Sequence, residues 1–495
     1  MTSEATHLDV LIIGAGLSGI DAAAHIAKAF PGRNYAVLEQ RHELGGTWSL
    51  FKYPGIRSDS DMFTLGFGWK PWNGDVAIAD GPDILAYLKE AARETGVDER
   101  IRYNHKVTKA SWSSADKLWT VDVEHPPSTE GAGGTPNDRG ATSKLTADFV
   151  WWTSGYYDYD EAYTPEFPGV EDFKGQVIHP QFWPEDLDYT GKEVVVIGSG
   201  ATAVTLIPSM SRDAGHITML QRTPTYIMSV PQMLPAAKLA RKVLPRELAN
   251  KQMHKIYAGI TIGTYQLMRR NPKLGKSIIK RSAQPFLPAD FDYDTHLSPP
   301  YNPWEQRLCA VPGGDLFKAM HSHKVDMVTD HIDSFTADGI RLKSGRELKA
   351  DIIITATGLK VVTMGKAALE VDGEPVKIGE HFTYKALMLN DIPNSAFTIG
   401  YSNASWTLKA DLVCEYVVRL LDYMDEHNFQ VVIPRVRGSL APSPLMDLSS
   451  GYLQRAQGAM PIAGDKDPWR LKNNWYFDKR VIKHQPIEDE SLEFA

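Results

Sequence analysis

Short apolar runs followed by helical periodicity recur along this 495-residue chain. Leu8–Ile13 reads as a buried strand that runs straight into glycines, and Ile20–Lys28 as the Ala-rich helix behind them. Tyr35–Leu38 is a second strand. About 184 residues later the pattern returns, with strand Glu193–Ile197, a glycine turn, a helix and strand Ile217–Leu220. Two such units predict an α/β fold with two Rossmann-like dinucleotide-binding domains. Between them Tyr103–Val107, Leu118–Val123 and Ala147–Trp152 read as strands. His125–Lys144, rich in Pro, Gly, Ser and Thr, reads as a surface hairpin loop. Residues 232–281 carry helical periodicity and few β signals, which marks a helical insertion. Strand signals resume at Lys324–Val328, Ile340–Leu342 and Asp351–Thr355, and Thr407–Asn428 reads as a helix. The tail, Asp467–Ala495, has no clear period.

Composition narrows the class. At 43% apolar the chain can bury a large core, so disorder is excluded. The longest uncharged helical stretch, Ile256–Met268, falls short of the about 20 residues that cross a bilayer. Cys309 and Cys414 are too few for a disulfide framework or a four-cysteine zinc site, and no histidine cluster suggests a metal. Met1–His7 is short and polar with a strand directly after it, which predicts a cytoplasmic protein without a signal peptide. A net charge of −8 argues against nucleic acid as a partner, yet the average conceals residues 232–281, where twelve Lys and Arg face Glu247 alone. That segment reads either as a solvated face or as a peripheral contact with an anionic membrane.

The glycine turns carry the first chemistry. Gly14-x-Gly16-x-x-Gly19 follows a strand and opens a helix whose N-terminus suits a pyrophosphate. Glu39 ends the next strand 20 residues after Gly19, where a carboxylate accepts ribose hydroxyls and disfavours a 2′-phosphate. Gly45-Gly46-Thr47-Trp48 adds a close-approach turn and a stacking face. In the second unit, Gly198-Ser199-Gly200-Ala-Thr202-Ala203 precedes a strand ending in Gln221-Arg222-Thr223. A base replaces the acid there, and a guanidinium can clamp a 2′-phosphate. The first site therefore reads as FAD and the second as NADP(H). Disulfide reductases share this pairing but need a redox cysteine pair, and Cys309 and Cys414 are 105 residues apart, neither after a glycine turn.

Phe173-x-Gly175-x-x-x-His179-x-x-x-Trp183-Pro184, just before the second glycine turn, resembles the fingerprint of type I Baeyer–Villiger monooxygenases, sisters of the flavin-containing monooxygenases. Gly45–Trp48 and Asp351–Gly358 match the same superfamily, and the likeness covers nearly the whole chain. Lys52–Asp61, Tyr301–Cys309 and Asn403–Asp411 point to one subgroup within it. The resemblance implies an NADPH- and O2-dependent conversion of ketones to esters or lactones through a C4a-peroxyflavin, with sulfides or thioamides as further substrates. It implies that Arg307 stabilises the peroxide anion and that Asp59 positions Arg307; the competing reading is a structural Arg307 paired with Glu305 or another acid. His179 is expected to act in hydrogen bonding or conformation rather than proton transfer, and Phe173, Gly175, His179 and Trp183 to form a hinge between domains. The expected cofactor-binding set is Gly14, Gly16, Gly19, Glu39, Gly46, Thr47, Trp48, Leu50, Arg57, Asp59, Val107, Gly198, Ser199, Gly200, Thr202, Ala203, Arg222 and Thr223. The expected division is a FAD domain of residues 1–160 and 380–495, an NADP domain of 161–228 and 309–379, and an insertion of 229–308. N- or S-oxygenation, or an uncoupled NADPH oxidase or flavin reductase, are the alternative activities.

Overall fold

The computed structural model describes residues 6–125, 140–446 and 448–495. Strand Thr6–Ile13 pairs in parallel with Tyr35–Glu39 on one side and Thr142–Trp152 on the other. Val10, Leu11 and Ile12 are wholly buried, as a strand covered on both faces requires. Ile101–Tyr103 extends this sheet beyond Tyr35–Glu39, while Leu118–Glu124 and Lys106–Ser113 continue it as an antiparallel meander. Helix Leu17–Ala29 buries Ile20, Ala23 and Ile26 in the same core as Val413, Val417 and Leu420 of the late helix Thr407–His427. The second sheet is wholly parallel, in the spatial order Val325–Thr329, His216–Gln221, Glu193–Ile197, Ile352–Thr355 and Gln176–Ile178. Glu193–Ile197 sits at the centre, so the glycine turn that follows it opens at the carboxyl edge of the sheet, where ligands of such folds bind.

Several expectations need correction. Tyr103–Val107 is not one strand: Asn104 adopts φ 57° and separates Ile101–Tyr103 from Lys106–Ser113. Of the expected loop His125–Lys144, residues 126–139 lie outside the described residues, and Thr142–Lys144 already belongs to a strand, with Glu124 opposite Thr142. Ala368–Val371 pairs in parallel with Lys106–Ser113, and Glu374–Pro375 pairs with it in turn. The stretch 368–375 therefore completes the first sheet, although its position within 309–379 places it by sequence in the second unit. The pattern from Phe173 to Trp183 is not a free linker in its first half: Gln176–Ile178 is the edge strand of the second sheet, and Phe173 packs edge-on against Phe335.

Residues 232–281 form three helices, Pro235–Val243, Arg246–Arg270 and Pro272–Ala283. The chain leaves along Ile227–Val230 and returns along Cys309–Pro312, and these strands pair in parallel with Ile227 opposite Cys309. Among the described residues no helix is long and apolar enough to cross a membrane. The tail, without period in sequence, is fixed by contacts instead: Leu492–Phe494 pairs with Val432–Pro434, and Trp469 and Ile482 join the first core.

Gly19 illustrates how the first unit closes. A Cβ there would lie 1.8 Å from the Gly14 carbonyl oxygen, so helix and strand could not pack at this distance. Gly19→Ala is therefore expected to lower the melting temperature by about 1–3 °C, at about 1–3 kcal/mol of overpacking, and to reduce FAD content of the purified protein. Thermal unfolding and the flavin-to-protein absorbance ratio check this.

Candidate active site

One cavity of about 1150 Å3 runs from the first glycine turn to the second. At the first end, Gly16 and Gly46 face each other: a Cβ on Gly46, which adopts φ 57°, would lie 3.0 Å from Gly16 Cα. Gly45 N–H donates to the Ala15 carbonyl at 2.9 Å, and Arg41 donates to Ser49 Oγ at 2.6 Å and to the Ser49 carbonyl at 3.2 Å, which fixes the turn. Glu39 is buried at the strand end, with Oε2 accepting from Ala15 N–H at 2.8 Å and Oε1 from Arg41 N–H at 3.0 Å. Burial raises its pKa and these N–H groups oppose the rise. Each carboxylate oxygen keeps lone-pair capacity toward the cavity, so two side-chain-free glycines and a ribose acceptor fit an adenine dinucleotide such as FAD.

At the second end, Gln221 turns inward, donating to the His296 carbonyl at 2.7 Å and Thr329 Oγ1 at 2.9 Å, which leaves Arg222 exposed at the rim. Ser199, Gly200, Thr202, Arg222 and Thr223 all line the cavity. A base at the strand end, where the first unit carries Glu39, fits a nucleotide with a 2′-phosphate, as NADP(H) carries.

Between the two ends stand Asp59 and Arg307. Arg307 Nε and Nη2 donate to Asp59 Oδ2 at 3.1 and 2.7 Å, and Nη1 donates to the Ser402 carbonyl at 2.9 Å. Asp59 is the main cause that raises the Arg307 pKa, so the guanidinium is a permanent cation. The competing partner is occupied elsewhere: Glu305 accepts from the backbone N–H and side-chain amide of Asn302, each at 2.9 Å. Asp59 is delivered by the loop after the Gly-Gly turn, which Ser58 N–H ties to the Ala79 carbonyl at 3.2 Å. Arg307 stands just before the returning strand, where Cys309 N–H donates to the Tyr226 carbonyl at 2.9 Å.

The cavity also takes in Gly14, Gly16, Glu39, Gly46, Thr47, Trp48, Arg57, Val107 and Gly198. Gly19 and Ala203 lie behind it, in packing positions. Leu50 is not among the residues that line the cavity, and its side chain packs with the second core. Arg57 lines the wall while paired to Asp315 at 2.5 Å, a partner from the helix Asp315–His321 that the sequence did not reveal. His179 lies outside the cavity. Its Nδ1 accepts from Gln181 N–H at 3.2 Å and its Nε2 faces the Gly358 carbonyl at 3.3 Å, which makes Nε2 the protonated nitrogen. Burial lowers its pKa, so the ring is neutral near pH 7 and holds a wall residue in place. Trp183 is half-buried against the second core.

Two aromatic wall residues, Tyr156 and Tyr452, escape notice in the sequence because their own stretches carry no motif. Tyr156 stacks on Trp406 at 5.5 Å and shares a 3.0 Å hydroxyl contact with Tyr157, while Tyr452 lines the same wall. Burial raises the pKa of Tyr156 and Tyr452, so both stay protonated. Cys309 also reaches the cavity, but burial pushes its thiol up to about 12, and Cys414 lies in the other core. A neutral, lone thiol is no dithiol redox pair.

Residues 80–280 match the family described as flavin-binding monooxygenase-like, and residues 12–74 match an NAD(P)-binding Rossmann-like domain. The chain is 51% identical to the FAD-containing monooxygenase EthA of Mycolicibacterium smegmatis, over 99% of this chain and 97% of that protein. It is 49% identical to EthA of Mycobacterium tuberculosis, over 99% of this chain and 98% of that one. In fold it is similar to an oxidised steroid monooxygenase bound to NADP, with a TM-score of 0.74 and 20% identity, covering 99% of this chain and 100% of that one. The chain belongs to the family of FAD-containing, flavin-binding monooxygenases.

Proposed function

We propose that this protein spends NADPH and O2 to insert an oxygen atom beside the carbonyl of a hydrophobic ketone, giving an ester or lactone, and that the same site oxygenates sulfides or thioamides. The observation that carries the reading is Arg307, fixed by Asp59 and the Ser402 carbonyl in the wall between the two glycine turns. Oxygen activation is the chemistry of FAD reduced by NADPH. Gly16, Gly46 and Glu39 hold the flavin nucleotide, and Arg222 with Ser199 and Thr202 holds the nicotinamide nucleotide. Arg307 uses three hydrogen bonds for its own anchoring and keeps further N–H groups for an anion in the cavity. Held rigidly, that charge stabilises developing negative oxygen without reorganisation. Asp59 supplies orientation. Tyr156, Trp406 and Tyr452 give the substrate an apolar wall with protonated hydroxyls. His179 keeps the Gly358 turn in register. We assign the flavin unit to residues 1–160 and 380–495 together with 368–375, and the nicotinamide unit to the remainder of 161–228 and 309–379.

The basic helices support a second proposal, peripheral contact with an anionic membrane. Leu239, Val243, Leu248, Ile260 and Leu267 are exposed large apolar side chains on the first two helices. Lys238, Lys242, Lys255, Arg270 and Lys273 are exposed beside them, and none makes an ion pair among the described residues. Apolar anchors between free cations match an anionic lipid surface, where apolar ketones collect.

Arg307→Ala is expected to retain NADPH-driven flavin reduction while losing at least about 100-fold in oxygenated product, as removal of an oxyanion donor does. Stopped-flow absorbance and product chromatography over a ketone panel check it, and a normal ester yield overturns the role. Arg222→Ala should raise the KM for NADPH about tenfold or more while leaving that for NADH nearly unchanged. Steady-state kinetics with both nucleotides decide this. Co-sedimentation with phosphatidylglycerol vesicles should be strong at low salt and fall steeply by about 0.5 M, because exposed charges are screened. Weak, salt-insensitive binding rejects the membrane contact.

A further inference from the structure

Residues 401–406, an irregular stretch before helix Thr407–His427, lend Tyr401, Ala404 and Trp406 to the cavity wall. The Ser402 carbonyl takes the Arg307 Nη1 proton at 2.9 Å. An irregular backbone holds a carbonyl in place only as well as its flanking residues are tied down. Tyr401 donates its hydroxyl to Asp478 Oδ2 at 2.7 Å. The same oxygen accepts from Lys409 Nζ at 3.1 Å, and Lys409 also donates to the Lys385 carbonyl at 3.2 Å. Tyr401, Lys409 and Asp478 are 5%, 2% and 6% exposed, so this carboxylate and ammonium sit in the interior beside the site. On the other flank of Ser402, the Asn403 amide donates to the Asn473 carbonyl at 2.9 Å. Both neighbours of Ser402 are thus fastened to the tail segment 473–478.

A buried ion pair of this kind contributes little net stability against an apolar replacement, whereas breaking it leaves an unpaired buried charge. Its contact with Tyr401, the residue before the Arg307 acceptor, gives it another use. We infer that Asp478, paired with Lys409, is a positioning residue that sets the Arg307 guanidinium through Tyr401 and the Ser402 carbonyl, so that the C-terminal tail controls how fully NADPH oxidation is coupled to oxygenation. This rests on the reading of Arg307 given above. In the coupled reaction NADPH, a proton, O2 and ketone give NADP+, water and ester. When Arg307 is misplaced, the same two electrons and protons leave with O2 as H2O2, and the ketone is recovered.

The test compares Asp478→Asn, Lys409→Met, the double variant and Tyr401→Phe as full-length, FAD-loaded enzyme. The readout is product and H2O2 formed per NADPH consumed, a ratio that does not depend on how much of the protein is folded. Asp478→Asn should lower product per NADPH about threefold or more, with a matching rise in peroxide and a KM for NADPH within about twofold of the parent. The double variant removes both charges together and should recover at least half of that loss. Tyr401→Phe keeps the ion pair and should lower the ratio more mildly, which decides the matter if Asp478→Asn does not fold. An unchanged ratio in Asp478→Asn or in Tyr401→Phe overturns the proposal, as does a double variant no better than the single one. Arg307→Ala separates the two readings: if it still forms ester, the role of Arg307 fails; if it does not and the tail variants stay coupled, only the positioning role fails.

Discussion

Asp59 and Arg307 stand 248 positions apart, and their contact joins a loop of the first unit to the strand that returns from the helical insertion. Neither side chain could hold its place alone. The guanidinium is only one-third exposed, and a cation at that depth needs a carboxylate and a carbonyl to balance its lost hydration. Around this pair the other parts take their positions. The glycine turns approach from opposite ends, the aromatic wall of Tyr156 and Trp406 covers one side, and the tail closes behind Tyr401.

The two sheets divide the physical work. The first is large and mixed, with a core that recruits helix Thr407–His427 and the tail far along the chain. The second is small and parallel, with the central strand Glu193–Ile197 buried at Val194, Val195 and Val196. Each presents a glycine turn at its carboxyl edge, and the ribbon of Tyr157–Ala162 against Leu359–Val361 links them. His179 and Gln181 bond to both sides of that link, at Gly358 and at Asp158. The Phe173–Trp183 pattern thereby fixes the second sheet to the connection, with a neutral histidine as a hydrogen-bonding strut.

Charge is distributed by region as well. Some acidic side chains of the body are paired, as Asp315 is with Arg57 and Asp158 with Lys366. The insertion instead leaves several cations without ion-pair partners among the described residues, next to exposed leucine and isoleucine side chains. An overall charge of −8 describes neither surface.

The sequence by itself determined both strand–glycine–helix units, the insertion and the late helix, because local periodicity and the demands of a tight turn are short-range constraints. Glu39 and Arg222 were legible for the same reason: each occupies a fixed offset from a glycine turn. The place of 368–375 in the first sheet, the Asp315 partner of Arg57, and the Tyr156, Trp406 and Tyr452 wall were decided only by tertiary structure. The choice of Asp59 over Glu305 as the partner of Arg307 was suggested by likeness, and the observed contact depends on chain closure across 248 residues. Nothing in the tail's composition marked Asp478, because its role arises from packing against Tyr401 and Lys409, and packing leaves no period along a chain.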